Sequence, residues 1–183
     1  MPSPALALVA EDETQAAAEV TREAFREAMS LLGAPVTLVT TDGAAGRHGL
    51  TVSAIASVSD TPPTVLVCLN RANRSHAAFL ANGRIGVSIL AHGHDAIAGR
   101  FASSKLGSEE RFAEGDWVVA DDGAPLLADA LVGLDCTIEQ VHASGTHDVL
   151  FCRVRAITHG DPVQHGLVWF SRGFHALPRA SDD

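Results

Sequence analysis

The chain has 183 residues, a length that fits one domain with a sizeable core. Apolar residues make up 46% and charged residues 19%, which excludes a disordered chain. A formal net charge of −9 excludes a general basic field for nucleic acid, but it leaves room for an anion in a local pocket. The three cysteines, Cys68, Cys136 and Cys152, lie far apart in apolar runs with no CxxC. They read as buried free thiols of a reducing compartment. No positive n-region opens the chain, and no run approaches the about 18 apolar residues of a membrane span. The expectation is a cytoplasmic protein with no membrane and no nucleic-acid partner.

In chain order, residues 1–15 read as a tail, 16–178 as one domain and 179–183 as a second tail. Thr14 is the expected cap of a helix that runs to Leu32. Val20, Ala24, Ala28 and Leu31 form its stripe, Phe25 lies beside it, and Gly33 is its stop. "PVTLVTT" is a β-branched strand, "DGAAGRHG" a turn, and "GLTVSAIASVSDTPP" a second strand, so the three read as a hairpin. The spaced glycines of the turn are no dinucleotide fingerprint, because no helix follows them.

In that second strand Leu50, Val52, Ala54, Ala56 and Val58 alternate with Thr51, Ser53, Ile55, Ser57 and Ser59. One face belongs in a core. The other carries small hydroxyls and no charge before Asp60. Such a face suits a flat polar ligand that needs close approach. It also suits a neighbouring subunit, or an edge strand.

"PPTVLVCLN" reads as a strand buried on both faces. "RSHAAFLANG" is a short helix from about Ser75 to Gly83, and "RIGVSIL" a strand. "HDAIAGRFASS" is a short helix with its following loop, and "SEERFAEGDW" a polar cover over an opening. Ala130, Val132, Leu134, Cys136 and Ile138 alternate on one strand, as do Leu150, Cys152, Val154 and Ala156 on the next. "HGLVWFSRGFHAL" reads as the last strand. Six or seven strands, a few short helices and no βαβ rhythm predict a mainly β, mostly antiparallel barrel.

Two stretches could carry chemistry by composition. "NRANRSH" sets Asn70, Arg71, Asn73, Arg74, Ser75 and His76 between a strand and a helix start. This suits a phosphate, and equally a capped helix with two solvated arginines. "HGHD" at 92–95 is the only tight cluster among nine histidines. Asp95 there reads as an ordinary helix cap, so no metal site is expected. No GxSxG supports a serine hydrolase.

Five segments in order, "FREAMSLLGAPVTLVTTDG", "GLTVSAIASVSDTPPTVLVCLN", "ERFAEGDW", "LDCTIEQVHASGTHDVLFCRV" and "HGLVWFSRGFHAL", together resemble the short-chain flavin reductases. The likeness extends to the reductase components of two-component 4-hydroxyphenylacetate, phenol and chlorophenol monooxygenases. It implies an FMN-binding split β-barrel and a homodimer. It also implies an NAD(P)H:flavin oxidoreductase that supplies diffusible reduced FMN or FAD to an oxygenase partner, with NADH the commoner donor.

The same resemblance assigns residues. Thr51, Val52, Ser53, Ala54 and Ser57 would lie along the flavin. Cys68, Leu69, Asn70, Arg71 and Ser75 would supply its phosphate side. Phe101, Ala102, Ser103 and Lys105 would lie near the flavin tail. His147, in "GTHD", would face the nicotinamide and act in catalysis. Arg172 and Phe174 would lie near the nicotinamide dinucleotide, Phe174 standing where many relatives carry Tyr. Two other readings stay open: a split-barrel enzyme with tightly held FMN, or a non-catalytic flavin-binding module.

Overall fold

A computed structural model describes residues 19–119, 122–161 and 164–180 of the chain. The expected cap Thr14, the expected tail 1–15 and residues 181–183 lie outside these described residues. The first helix, α1 (Arg22–Ser30), is shorter than expected. Thr21 caps it, with an extended backbone and a hydroxyl that accepts the Ala24 N–H at 3.1 Å. A hydroxyl N-cap satisfies one of the free N–H groups of the first turn, so the helix starts there. The expected stripe buries nothing. No residue of α1 is buried, and Phe25, Met29, Leu31 and Leu32 are all exposed.

Strands β1 (Ala34–Pro35) and β2 (Thr37–Thr41) follow, and β2 pairs with β3 (His48–Val52) in the expected hairpin. Strands β4 (Ile55–Asp60) and β5 (Pro63–Asn70) make a second hairpin around a cis Thr61–Pro62 bond. Helix α2 (His76–Asn82) ends at Gly83, whose φ of 67° gives the left-handed C-cap. Then come β6 (Arg84–Ile89), α3 (Asp95–Ala102), α4 (Ser108–Phe112), and the short pair β7 (Trp117–Val118) and β8 (Leu126–Leu127). The long antiparallel pair β9 (Val132–Ser144) and β10 (His147–His159) leads to β11 (Gly166–Phe170) and β12 (Gly173–Leu177).

The main sheet has seven antiparallel strands in the order β3-β2-β6-β9-β10-β5-β4. Its two outermost strands are β3 and β4, yet only Ser53 and Ala54 separate them in the chain. At ~3.8 Å per residue the chain cannot span more than about 11 Å there. The two edges of the sheet therefore meet, and the sheet rolls into a barrel that stays split between them. This corrects the reading of one continuous strand through residues 49–60. Leu50 and Val52 point into the core, but Ala54, Ala56 and Val58 are exposed. A chain that leaves one edge and joins the other does not keep its inward phase.

Inside the barrel Val39, Leu50, Val67, Phe79, Ile85, Val87, Cys136, Leu150 and Cys152 form one core. A second core, with Leu38, Leu90, Ile97, Phe101 and Leu167, lies between the sheet and α3. Strand β5 is not buried on both faces: only Val67 and Leu69 are, and Asn70 is exposed. Ala156, expected beside Cys152 and Val154, is exposed because the β9–β10 register shifts between Val154 and Ala156. The last expected strand is a hairpin. Ser171 (φ 48°) and Arg172 (φ 62°) are both left-handed, the backbone of a two-residue turn. With β1 this hairpin makes a small sheet in the order β1-β11-β12.

All three cysteines are free thiols. Cys136 and Cys152 are buried, and desolvation pushes both thiols up to about 12. Cys68 is half-buried, and burial raises it as well. A thiol held protonated is a poor nucleophile. At pH 8 a chromogenic disulfide reagent should leave Cys136 and Cys152 untouched in the native protein and titrate all three after denaturation. Rapid native reaction at either buried position would contradict the burial.

Candidate functional site

The end of β3 carries one wall of a cleft of about 350 Å³. Thr51, Val52 and Ser53 form that wall, Gly99 and Ala102 of α3 form another, and Val36 lies at the base. Trp169 and Phe174 complete it from the β11–β12 hairpin. They are cross-strand partners, with ring centroids 4.9 Å apart and planes at 70°. Edge-to-face pairs of this kind hold each other's orientation. Helix α3 is tied to β3 by the Thr51 hydroxyl, which donates to the Ala98 carbonyl at 2.6 Å. The lining is mostly apolar and suits a flat ring system.

Thr51 and Ala102 also line an adjacent chamber of about 210 Å³ with a different character. Ala72, Asn73 and Arg74 line it from the turn before α2, and Ser104 and Arg111 from the α3–α4 region. A third space, about 170 Å³, shares Arg74 and Arg111 and reaches His48, Ser75 and Ser108. Arg111 is only 7% exposed. Its guanidinium donates to the carbonyls of Gly49 and Ser103, each at 2.6 Å, and its Nε has no partner among the described residues. Arg74 donates to the carbonyls of Ser104 and Leu106 at 2.8 and 3.2 Å. Burial, and then the charge of Arg74, lower the Arg111 pKa from the usual guanidinium range. Two guanidinium groups thus face one chamber and are tied to carbonyls. An arginine so placed stays cationic and suits a planar or tetrahedral oxyanion.

Gly49 makes this approach possible. A Cβ there would lie 2.6 Å from the Phe101 ring and 3.2 Å from that of Phe112. Phe101 is fully buried and packs edge-on to Phe112 at 5.0 Å and against Trp117 at 5.4 Å. The segment read as a polar cover, "SEERFAEGDW", therefore contributes Arg111 to the chamber and Phe112 and Trp117 to the packing beneath it.

The structure brings Thr51, Val52, Ser53, Phe101, Ala102, Ser75 and Phe174 to this groove. It does not bring Ala54 and Ser57, which are exposed on or beside the edge strand β4. The Leu69 side chain lies in the barrel core and Cys68 on the opposite side of β5. Asn70 accepts the Ala72 N–H at 2.8 Å in a local turn. The Arg71 guanidinium is turned to Asp148 at 2.6 Å, and the Lys105 side chain is exposed. Ser103 offers its carbonyl to Arg111 and its hydroxyl to the Lys105 N–H. His147 begins β10, opposite Asn70, with Nδ1 2.9 Å from the Thr146 hydroxyl. Arg172 sits in the hairpin turn and pairs with Glu27. Arg111 and Trp169 were not expected, and Arg74 was not separated from Arg71 by local sequence.

At "HGHD" the cap is His94, not Asp95, which is the first residue of α3. The His94 ring accepts the Ala91 N–H at 3.1 Å and faces Asp129 at 3.2 Å. Among the described residues no group of three or more His, Cys, Asp or Glu side chains converges as metal ligands would, and no helix is long and apolar enough to cross a membrane.

Asp148 is buried, and two side chains reach its carboxylate: the Arg71 guanidinium at 2.6 Å and the His76 ring at 2.9 Å. The Arg71 hydrogen bond, above all, holds its pKa below the usual carboxylate value. A lowered folded-state pKa gives stability that is present above the unfolded value and lost as pH falls through the folded one. The Tm gap between the protein and Asp148→Asn should be constant near neutrality and close on acidification below about pH 4. A gap that widens in acid would contradict this.

Residues 29–178 match the Flavin reductase like domain family. The chain belongs to that family. FMN reductase (NADH) RutF of Cronobacter turicensis is 53% identical to this flavin reductase over 158 residues, 86% of this chain and 94% of that one. Among solved structures it is similar to BorF, the flavin reductase component of a bacterial two-component tryptophan halogenase. The TM-score is 0.81 at 28% identity, covering 87% of this chain and all of the other. It is also similar to the Streptomyces globisporus NADH:FAD oxidoreductase SgcE6, solved with NAD and FAD fragments. There the TM-score is 0.78 at 30% identity, covering 88% and 94% of the two chains. The split barrel described above is the fold of these reductases.

Proposed function

We propose that this flavin reductase uses NADH to reduce FMN as a loosely held substrate, and that the reduced flavin leaves to serve an oxygenase. The observation that carries this reading is the change in character along one groove. An apolar cleft with an aromatic pair adjoins, across Thr51 and Ala102, a chamber with two arginines, Arg74 and Arg111. FMN has the same two parts in the same order, a flat ring system and a terminal phosphate. The unpartnered Nε of buried Arg111 is a donor set aside for such an anion.

A flavin bound there would supply the hydride acceptor at N5, and the chain would supply binding and orientation. Val52 and the backbone of β3 hold one face of the ring site, Gly99 and Ala102 leave room on the other, and Trp169 and Phe174 close one side. Hydride transfer needs the donor and acceptor rings within roughly 3–3.5 Å. The chain has no tyrosine, so no phenol takes part. Strand β4 and helix α1 are exposed in one chain, and they are the faces a second copy would cover. A homodimer would then give Ser57 and His147 a place beside the partner's groove. Free thiols fit a cytoplasmic site of action.

The test is NADH oxidation by the purified protein with FMN, FAD or riboflavin added in turn. Turnover that requires free flavin and saturates with it, with the lowest KM for FMN, supports the reading. Flavin that co-purifies and survives gel filtration would point instead to a tightly held prosthetic group. His147→Ala should lower kcat by about tenfold or more with little change in flavin KM. Wild-type turnover in that variant would remove His147 from the chemistry.

A further inference from the structure

We propose that Asp148, which lies outside the groove, is a positioning residue for the flavin phosphate. The inference rests on the reading of Arg74 and Arg111 as the phosphate end. Asp148 grips both ends of the turn that presents Arg74. Arg71, at the start of the turn, donates from Nε to one carboxylate oxygen at 2.6 Å. His76, at its end, meets the other oxygen at 2.9 Å. Between them, Ala72, Asn73 and Arg74 line the second chamber.

Short-range bonds set the shape of the turn: Asn73 N–H to the Asn70 carbonyl at 3.0 Å, His76 N–H to the Asn73 carbonyl at 3.0 Å, and Ser75 N–H to the Asn73 side chain at 2.9 Å. These fix its shape but not its place on the barrel. Its place is set from two sides: the Arg74 guanidinium is tied to the Ser104 and Leu106 carbonyls, and the two ends of the turn are held by β10. The Arg71 N–H donates to the Thr146 carbonyl at 3.0 Å, and Asp148 follows two residues on. Asp148 itself is buried and paired in register with Leu69, a core residue of β5, so it is a rigid anchor.

A carboxylate offers an accepting oxygen to each end at once; the amide of Asp148→Asn keeps one accepting oxygen and puts an NH2 group in place of the other. Asp148→Asn should therefore let the turn shift and move Arg74 off the phosphate, while the ring cleft, built from β3, α3 and the last hairpin, stays as it is. The effect should be specific to the phosphate. This separates positioning from a general loss of structure, which would weaken every flavin alike.

The measurement is binding of FMN and of riboflavin by flavin fluorescence, with KM values for both in NADH oxidation, for the full chain and for Asp148→Asn, His76→Gln and Arg74→Met. Asp148→Asn should raise the FMN Kd about five- to tenfold and leave riboflavin within about twofold. His76→Gln releases one end of the turn only. It should show a smaller loss of the same kind, and it keeps the test usable where Asp148→Asn folds poorly. Arg74→Met should cut the preference for FMN over riboflavin by about tenfold, with Arg111 keeping the remainder. Equal loss of both flavins in Asp148→Asn and His76→Gln, or no loss in either, overturns the positioning role while Arg74→Met still shows the phosphate-specific effect. An Arg74→Met protein that keeps its FMN preference overturns the phosphate reading itself.

Discussion

Replacing Arg111 with Met should raise the KM for FMN about a hundredfold and lower Tm at the same time. Two effects combine. A charge-assisted hydrogen bond to an anion contributes about 1.5–3 kcal/mol, or roughly 10–150-fold in affinity. Arg111 also serves the fold: it ties the Gly49 carbonyl of β3 to the Ser103 carbonyl after α3. Gly49 is buried, and losing the charged donor to its carbonyl costs about 1–3 kcal/mol. Arg111→Lys keeps the charge but not the fork that reaches both carbonyls. It should recover part of the FMN affinity and little of the stability. Steady-state KM for FMN and calorimetric Tm decide the matter. An unchanged KM in Arg111→Met would place the phosphate elsewhere.

Phe101→Ala should be the most destabilising of the substitutions considered. Phe101 is 1% exposed and packs against both Phe112 and Trp117 in the core beneath α3. Removing a buried phenyl costs about 3–5 kcal/mol, because the cavity adds to the lost transfer energy. For a domain of this size that corresponds to roughly 10 °C in Tm. Flavin affinity should fall with it, since Ala102 and Gly99 ride on the same helix. Phe101→Leu should recover most of the loss. A variant that melts within about two degrees of the parent would show that the α3 core is not close-packed.

Elements whose signals are local were legible in the sequence. The β2–β3 hairpin, α2 with its Gly83 stop, the alternation of Val132 to Ile138 on β9 and that of β10 as far as Val154 read correctly from neighbours a few residues away. What failed depends on distant pairings. The break at Ser53–Ala54 exists because β3 and β4 lie at opposite ends of the sheet order, and no feature within "GLTVSAIASVS" marks it. The turn at Ser171–Arg172 lacks the Asn-Gly or Gly-Gly that usually announces a two-residue hairpin. Arg71 and Arg74 look alike in "NRANRS". Only Asp148, 77 residues beyond Arg71, turns one of them away from the groove and leaves the other beside it. Arg111 was hidden in an acidic segment that looked solvated. The family resemblance pointed to the strand and helix that line the groove, but it could not say which side chains of this chain face inward.

Strand β12 has a neighbour on one side only, and the aromatic wall of the cleft depends on it. Edge strands of small sheets open at low free energy, while β9 and β10 sit in the middle of seven. The amide protons of residues 173–177 should therefore exchange with solvent well before those of residues 147–154. A ligand stacked against Phe174 should slow exchange at β12 selectively, leaving a footprint in the hydrogen-exchange map that marks where the ring of an incoming molecule rests.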